Sequence, residues 1–122
     1  MATVVIIDDE KEICEILEDV FNEEEGFTVL TAENGLDGLA LIEKHSPDVT
    51  LLDVKLSAQM DGVEVLREIR KRNAKAKVIV ITGYVEEKME QEIKQVGVDG
   101  YIEKPFSPPQ IIGEVQAVMN RE

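Results

Sequence analysis

Thr3-Val4-Val5-Ile6-Ile7-Asp8-Asp9-Glu10 is the stretch that decides the fold. A near-continuous apolar, β-branched run suits a central strand covered on both faces, as parallel sheets require, and three successive acids end it abruptly. Working outward, Ile13, Ile16, Leu17, Val20 and Phe21 recur at helical spacing, opposite a Glu-rich face, and Gly26 is expected to stop that helix. Phe27 to Thr31 reads as a second strand. Leu36, Leu39, Ala40 and Ile42 then mark a helix ending before Pro47. Val49 to Leu52 is a third strand closed by Asp53, and Val65, Leu66 and Ile69 a third helix after Asp61-Gly62. Val78 to Ile81 is a fourth strand, followed by a more polar and less tightly packed helix around Met89, Ile93 and Val96. Tyr101-Ile102 is a short fifth strand, and Pro108-Pro109 open a last helix carrying Ile111, Ile112, Val115, Val118 and Met119. The alternation predicts an α/β fold: one doubly wound (βα)5 domain over residues 1–122, with helices on both faces of a parallel sheet.

Composition narrows the function. The 122 residues carry 13 basic and 26 acidic side chains, a net charge of −13, with 43% apolar residues, enough for one sizeable core. Such a surface repels nucleic-acid phosphates and anionic membranes, so neither is an expected partner. No apolar run approaches membrane-spanning length and the first residues lack a basic leader, so a cytoplasmic location is expected. Cys14 is the sole cysteine and reads as a buried filler rather than a reactive thiol. Residues 1–25 hold ten acids against Lys11 alone. Arg67, Arg70, Lys71, Arg72, Lys75 and Lys77 form a basic cluster where a helix should end, which favours pairing with a negative helix terminus over a docking patch.

Every strand of a parallel sheet ends on one edge, where ligands bind. The first strand ends in Asp8-Asp9, the third in Asp53, the fourth in Thr82-Gly83, and Lys104-Pro105 follows the fifth. Three crowded carboxylates call for a hard divalent cation with oxygen ligands. A few carboxylates, a lysine and a hydroxyl suit Mg2+, or Mn2+ in its place, holding a phosphoryl group, with one Asp left as the nucleophile for an aspartyl phosphate.

Val4-Val5-Ile6-Ile7-Asp8-Asp9-Glu10, Leu51-Leu52-Asp53-Val54-Lys55-Leu56, Val80-Ile81-Thr82-Gly83 and Gly100-Tyr101-Ile102-Glu103-Lys104-Pro105-Phe106 stand in order along the chain. Together they resemble a response-regulator receiver domain, the CheY-like family of two-component signalling, over the whole length. The resemblance implies a flavodoxin/CheY-like sheet of order 2-1-3-4-5. It implies that Asp53 accepts a phosphoryl group from a phosphohistidine on a sensor histidine kinase or histidine phosphotransfer protein. It further implies Asp8, Asp9, Asp53 and the backbone carbonyl of Lys55 as metal ligands, with Thr82 and Lys104 on the phosphoryl oxygens. Tyr101 matches the switch aromatic, and the Lys104-Pro105 peptide is expected to be cis. Phosphorylation would then alter the surface of the fourth helix, fifth strand and fifth helix and so change binding to a downstream protein target. Such a phosphoacceptor has intrinsic phosphotransfer and autodephosphorylation activity but is not a free-standing enzyme, and is a monomer or a weak phosphorylation-dependent dimer.

Two places depart from the family pattern: Ser57 stands where a proline is usual, in a loop one residue longer to Gly62. Lys55 and Tyr84 occupy positions that tune hydrolysis of the aspartyl phosphate, and the bulk of Tyr84 is expected to prolong it. Asp8-Asp9 could also cap the first helix, and Tyr101 divides between half-buried packing and a moving switch. His45, before Ser46-Pro47, reads as a solvated cation at a helix end. Rival functions lack a residue they need. A haloacid-dehalogenase-type phosphatase needs an acid where Lys55 stands, and a flavodoxin-type carrier needs a phosphate-cradling turn where Asp8-Asp9-Glu10 stands. No GxGxxG follows the first strand. A receiver excised from a larger regulator or hybrid kinase and a constitutive interaction module are the alternatives to a stand-alone signal carrier.

Overall fold

A computed structural model describes residues 2–56, 60–83 and 85–121; the expectations for Ser57 and Tyr84 lie outside the described residues. Five strands, β1 (Ala2–Ile7), β2 (Phe27–Ala32), β3 (Val49–Leu52), β4 (Val78–Thr82) and β5 (Gly100–Glu103), alternate with α1 (Lys11–Asn22), α2 (Gly35–His45), α3 (Gly62–Arg72), α4 (Glu87–Val96) and α5 (Pro108–Met119). The strands form one sheet of order β2-β1-β3-β4-β5 with every pairing parallel.

Alternation along β1 explains why its sequence is apolar throughout. Val4 and Ile6 face Leu17 and Phe21 of α1 and Ile111 and Val115 of α5, while Val5 and Ile7 face a second cluster with Leu39, Leu66, Ile69 and Ile93 from α2, α3 and α4. Each face therefore has its own core, and β3 and β4 are buried at every position. Cys14 is 3% exposed within the α1/α5 core, the filler that the sequence implied. Burial pushes its thiol up to about 11, with help from the charges of Asp8, Glu33 and Glu18. α4 buries Ile93 alone among its described residues, in line with its polar sequence.

Three local expectations are corrected. α1 ends at Asn22, not at Gly26, because the run Glu23-Glu24-Glu25 would pile negative charge on the negative end of the helix dipole. Gly26, at φ 94°, instead turns the chain into β2. Ile16 and Leu36 belong to the apolar positions that mark these helices, yet they are 48% and 54% exposed. In α1 the buried row is Cys14, Leu17, Val20 and Phe21, which leaves Ile16 beyond its edge. In α2 it is Gly35, Gly38 and Leu39, where two glycines bring the helix close to Val65 and Ile7 and turn Leu36 and Ala40 outward.

The basic cluster reaches beyond its own helix end. Arg70, Lys71 and Arg72 do lie in the last turn of α3. Arg70, however, donates to the carbonyls of Ala74, Ala76 and Gly97 and pairs with Asp99 at 3.0 Å. Lys77 reaches the end of α5, donating to the carbonyls of Val118, Met119 and Arg121 at 2.8, 3.1 and 2.6 Å. Arg67 pairs with Glu92 at 3.2 Å, and exposed His45 sits in the last turn of α2 as expected.

Candidate functional site

The C-terminal ends of β1, β3, β4 and β5 bring Asp8, Asp53, Thr82 and Lys104 together at one edge. Asp8 follows the last residue of β1 and Asp53 that of β3, and the amide of Asp53 donates to Ile7 O at 2.9 Å, which holds the two acids side by side. Thr82 closes β4, and Lys104 follows β5 with its amide on Thr82 O at 2.8 Å. The Lys104-Pro105 peptide is cis.

Asp8 and Asp53 are 2% and 4% exposed, and the ammonium of Lys104 bridges them, donating to Asp8 Oδ2 at 3.0 Å and Asp53 Oδ2 at 3.1 Å. The second oxygen of each acid is also engaged: Asp8 Oδ1 accepts from the Glu10 amide and Asp53 Oδ1 from the Lys55 amide, both at 2.9 Å. Glu10 rather than Asp8 or Asp9 takes the N-cap position of α1, so Asp8 closes a turn instead of capping the helix. Burial pushes the Asp8 carboxyl up to about 6; the Glu10 amide opposes this, Asp53 adds repulsion, and Lys104 offsets part of it. For Lys104, burial works to lower the pKa, but the hydrogen bonds and charges of Asp8 and Asp53 outweigh it and the value is raised.

Carboxylate oxygens of Asp8, Asp9, Glu10 and Asp53 all lie within 4.8 Å of one another. Four oxygen donors at this spacing fit a hard divalent cation. Glu10, exposed and with Oε1 3.6 Å from Lys104, belongs to this group although the sequence offered it only as the last acid of a run. The Thr82 hydroxyl, fully buried, has no hydrogen-bond partner among the described residues. Such a group is costly to bury unless a partner arrives.

Tyr101, paired in register with Val80, is half-buried against the α2/α3/α4 core. Its phenol is pushed up by burial and then by Glu90 and Glu103. Among the described residues no helix is long and apolar enough to cross a membrane.

Comparison with known proteins agrees with this architecture. The family model for the response regulator receiver domain matches residues 4–116. A CheY-like receiver domain protein from Methanospirillum hungatei is 29% identical with a TM-score of 0.91, over 98% of this chain and 94% of that one. The chemotaxis protein CheY4 of Vibrio cholerae is 29% identical with a TM-score of 0.87, over 97% and 98%. A DNA-binding response regulator of the LuxR family from Staphylococcus aureus is 29% identical with a TM-score of 0.89, over 98% and 100%. The sheet order, the acidic edge and the family match lead to one assignment: this chain belongs to the response regulator receiver domain family, the phosphoacceptor modules of two-component signalling.

Proposed function

We propose that Asp53 is the phosphoacceptor and that its donor is a phosphohistidine on a sensor histidine kinase or histidine phosphotransfer protein. The observation that carries this reading is one ammonium shared between two buried carboxylates beside a buried hydroxyl that has no hydrogen-bond partner among the described residues. Asp53 Oδ2 attacks phosphorus, the P–N bond to the donor imidazole breaks, and the imidazole keeps the electron pair and takes a proton. Lys104 already touches the attacking oxygen, so it offsets charge on the arriving phosphoryl group without a long excursion. Thr82 donates its hydroxyl to a phosphoryl oxygen and so gains its missing partner.

Asp8, Asp9, Asp53 and the carbonyl of Lys55 would hold Mg2+, or Mn2+ in its place. The bound ion supplies relief of carboxylate repulsion and a fixed position for one phosphoryl oxygen. The movement of Thr82 toward the phosphoryl group opens space for Tyr101, and the surface of α4, β5 and α5 changes with it, altering affinity for a downstream protein. A switch from 1:99 to 99:1 requires about 5.5 kcal/mol, within reach of a new dianion held by a lysine, a hydroxyl and a metal.

Incubation with Mg2+ and acetyl phosphate tests this by intact-protein mass. One phosphoryl addition is expected in the parent and none in Asp53→Asn. Absence of addition in the parent would leave the constitutive interaction module as the better reading.

A further inference from the structure

We propose that Gly62 is a positioning residue for the phosphoacceptor, an inference that rests on the role proposed for Asp53. Gly62 is the first residue of α3, and its amide donates to Val54 O at 3.1 Å. A β-carbon placed on it would lie 2.6 Å from the carbonyl oxygen of Asp53, 2.6 Å from Val54 C, and closer still to Val54 Cα. All three obstacles are backbone atoms, so no change of rotamer relieves them. A residue without a side chain is what lets the first turn of α3 rest on the Asp53-Val54 peptide.

That turn is itself fixed by a reciprocal cap: Asp61 Oδ1 accepts from the Glu64 amide at 2.9 Å and Glu64 Oε1 from the Asp61 amide at 3.4 Å. The peptide beneath it runs directly from the acceptor to Lys55, whose amide holds Asp53 Oδ1 at 2.9 Å. Val54 between them is fully buried. Gly62 therefore acts on the carboxylate of Asp53 and the carbonyl of Lys55 through the backbone, touching neither the metal nor the phosphoryl group. Gly100 is the contrasting case: a β-carbon there meets only side-chain atoms, Glu114 Oε1 at 2.9 Å and Ile79 Cγ1 at 3.2 Å, at the edge where the strands begin.

The test compares the parent, Gly62→Ala and Gly100→Ala for Mg2+ affinity by calorimetry and for the rate of phosphoryl uptake across acetyl phosphate concentrations. Displacement of the acceptor by about an ångström is expected to lower the limiting uptake rate of Gly62→Ala roughly tenfold or more and to weaken Mg2+ binding. Gly100→Ala is expected to keep both properties, since the nearest atom there is the end of the flexible Glu114 side chain. A Gly62→Ala protein equal to the parent, or a Gly100→Ala protein that loses both properties equally, overturns the proposal. Should Gly62→Ala fail to fold, the parent's amide spectrum decides. Mg2+ is expected to shift the Gly62 resonance and slow its hydrogen exchange, and an unmoved Gly62 amide overturns the proposal. A parent that takes neither Mg2+ nor phosphoryl group overturns the reading of Asp53, and the role of Gly62 with it.

Discussion

At the edge where the strands end, the Lys104 ammonium faces Asp8, Asp53 and, farther off, Glu10; at the edge where they begin, the Arg70 guanidinium faces Asp99 and three backbone carbonyls. Both cations tie together elements far apart in sequence, and each is mostly buried, at 18% and 17% exposed. The lower edge is complete. Asp99 Oδ2 accepts from Val78 N at 2.8 Å as well as from Arg70, and the fork of the guanidinium has an acceptor in each direction. The upper edge gathers four carboxylates, one of them pushed out of its ordinary range, and a buried hydroxyl with no hydrogen-bond partner among the described residues. Polar groups are satisfied at one edge, and at the other buried carboxylates are gathered where the proposed function places a cation and a phosphoryl group.

Arg70→Met should produce the largest effect on folding. It leaves Asp99 without its charge partner and three carbonyls without a donor, which should cost about 3 kcal/mol in urea denaturation, while phosphoryl uptake at a temperature where the variant is folded stays at the parent's level. Loss of uptake out of proportion to stability would show that the two edges do not work separately.

Next comes the pH response of the metal-free protein. The Asp8 carboxyl lies above its ordinary value in the folded chain, so it favours folding while protonated. That contribution is present below about pH 4 and is lost as pH rises through about 6. Between those values the parent should lose up to about 3 kcal/mol relative to Asp8→Asn, read from urea denaturation without Mg2+. Equal pH dependence in the two proteins would remove the claim that burial, with the help of Asp53, holds the Asp8 carboxyl above its ordinary value.

The smallest effect has the most telling sign. Thr82→Val replaces an unpartnered buried hydroxyl by a methyl of similar shape, so the melting curve should move up by about 1 kcal/mol while phosphoryl uptake slows. A destabilised Thr82→Val would mean that the hydroxyl is satisfied in the resting protein and that the upper edge is not incomplete there.

These contrasts also show what the chain makes legible. Strands β1, β3 and β4 are visible in the sequence because burial on both faces demands unbroken β-branched runs, and Asp8, Asp53, Thr82 and Lys104 could be grouped because parallel strands share one C-terminal edge. Helix rotation is less visible. The apolar stripe of α2 suggests Leu36 and Ala40, but the buried row runs through Gly35 and Gly38, since close approach is signalled by a missing side chain rather than by a large one. The reach of Arg70 to Gly97 and Asp99, and of Lys77 to the end of α5, depends on tertiary distances that no local pattern encodes. Glu10 was hidden for the opposite reason: among ten acids in the first 25 residues, nothing in composition separates a carboxylate that joins the site from one that only keeps its helix face wet.

The lysine that completes the acceptor site stands 96 residues from Asp8 and 51 from Asp53. During synthesis, then, the acidic half of the site leaves the ribosome well before its counter-charge does. A nascent chain that has produced β1 through β4 holds the carboxylates but not the ammonium, and on the role proposed for Asp53 it takes up a phosphoryl group only when its last strand has joined the sheet. On that proposal, responsiveness to a phosphoryl donor certifies a completed sheet.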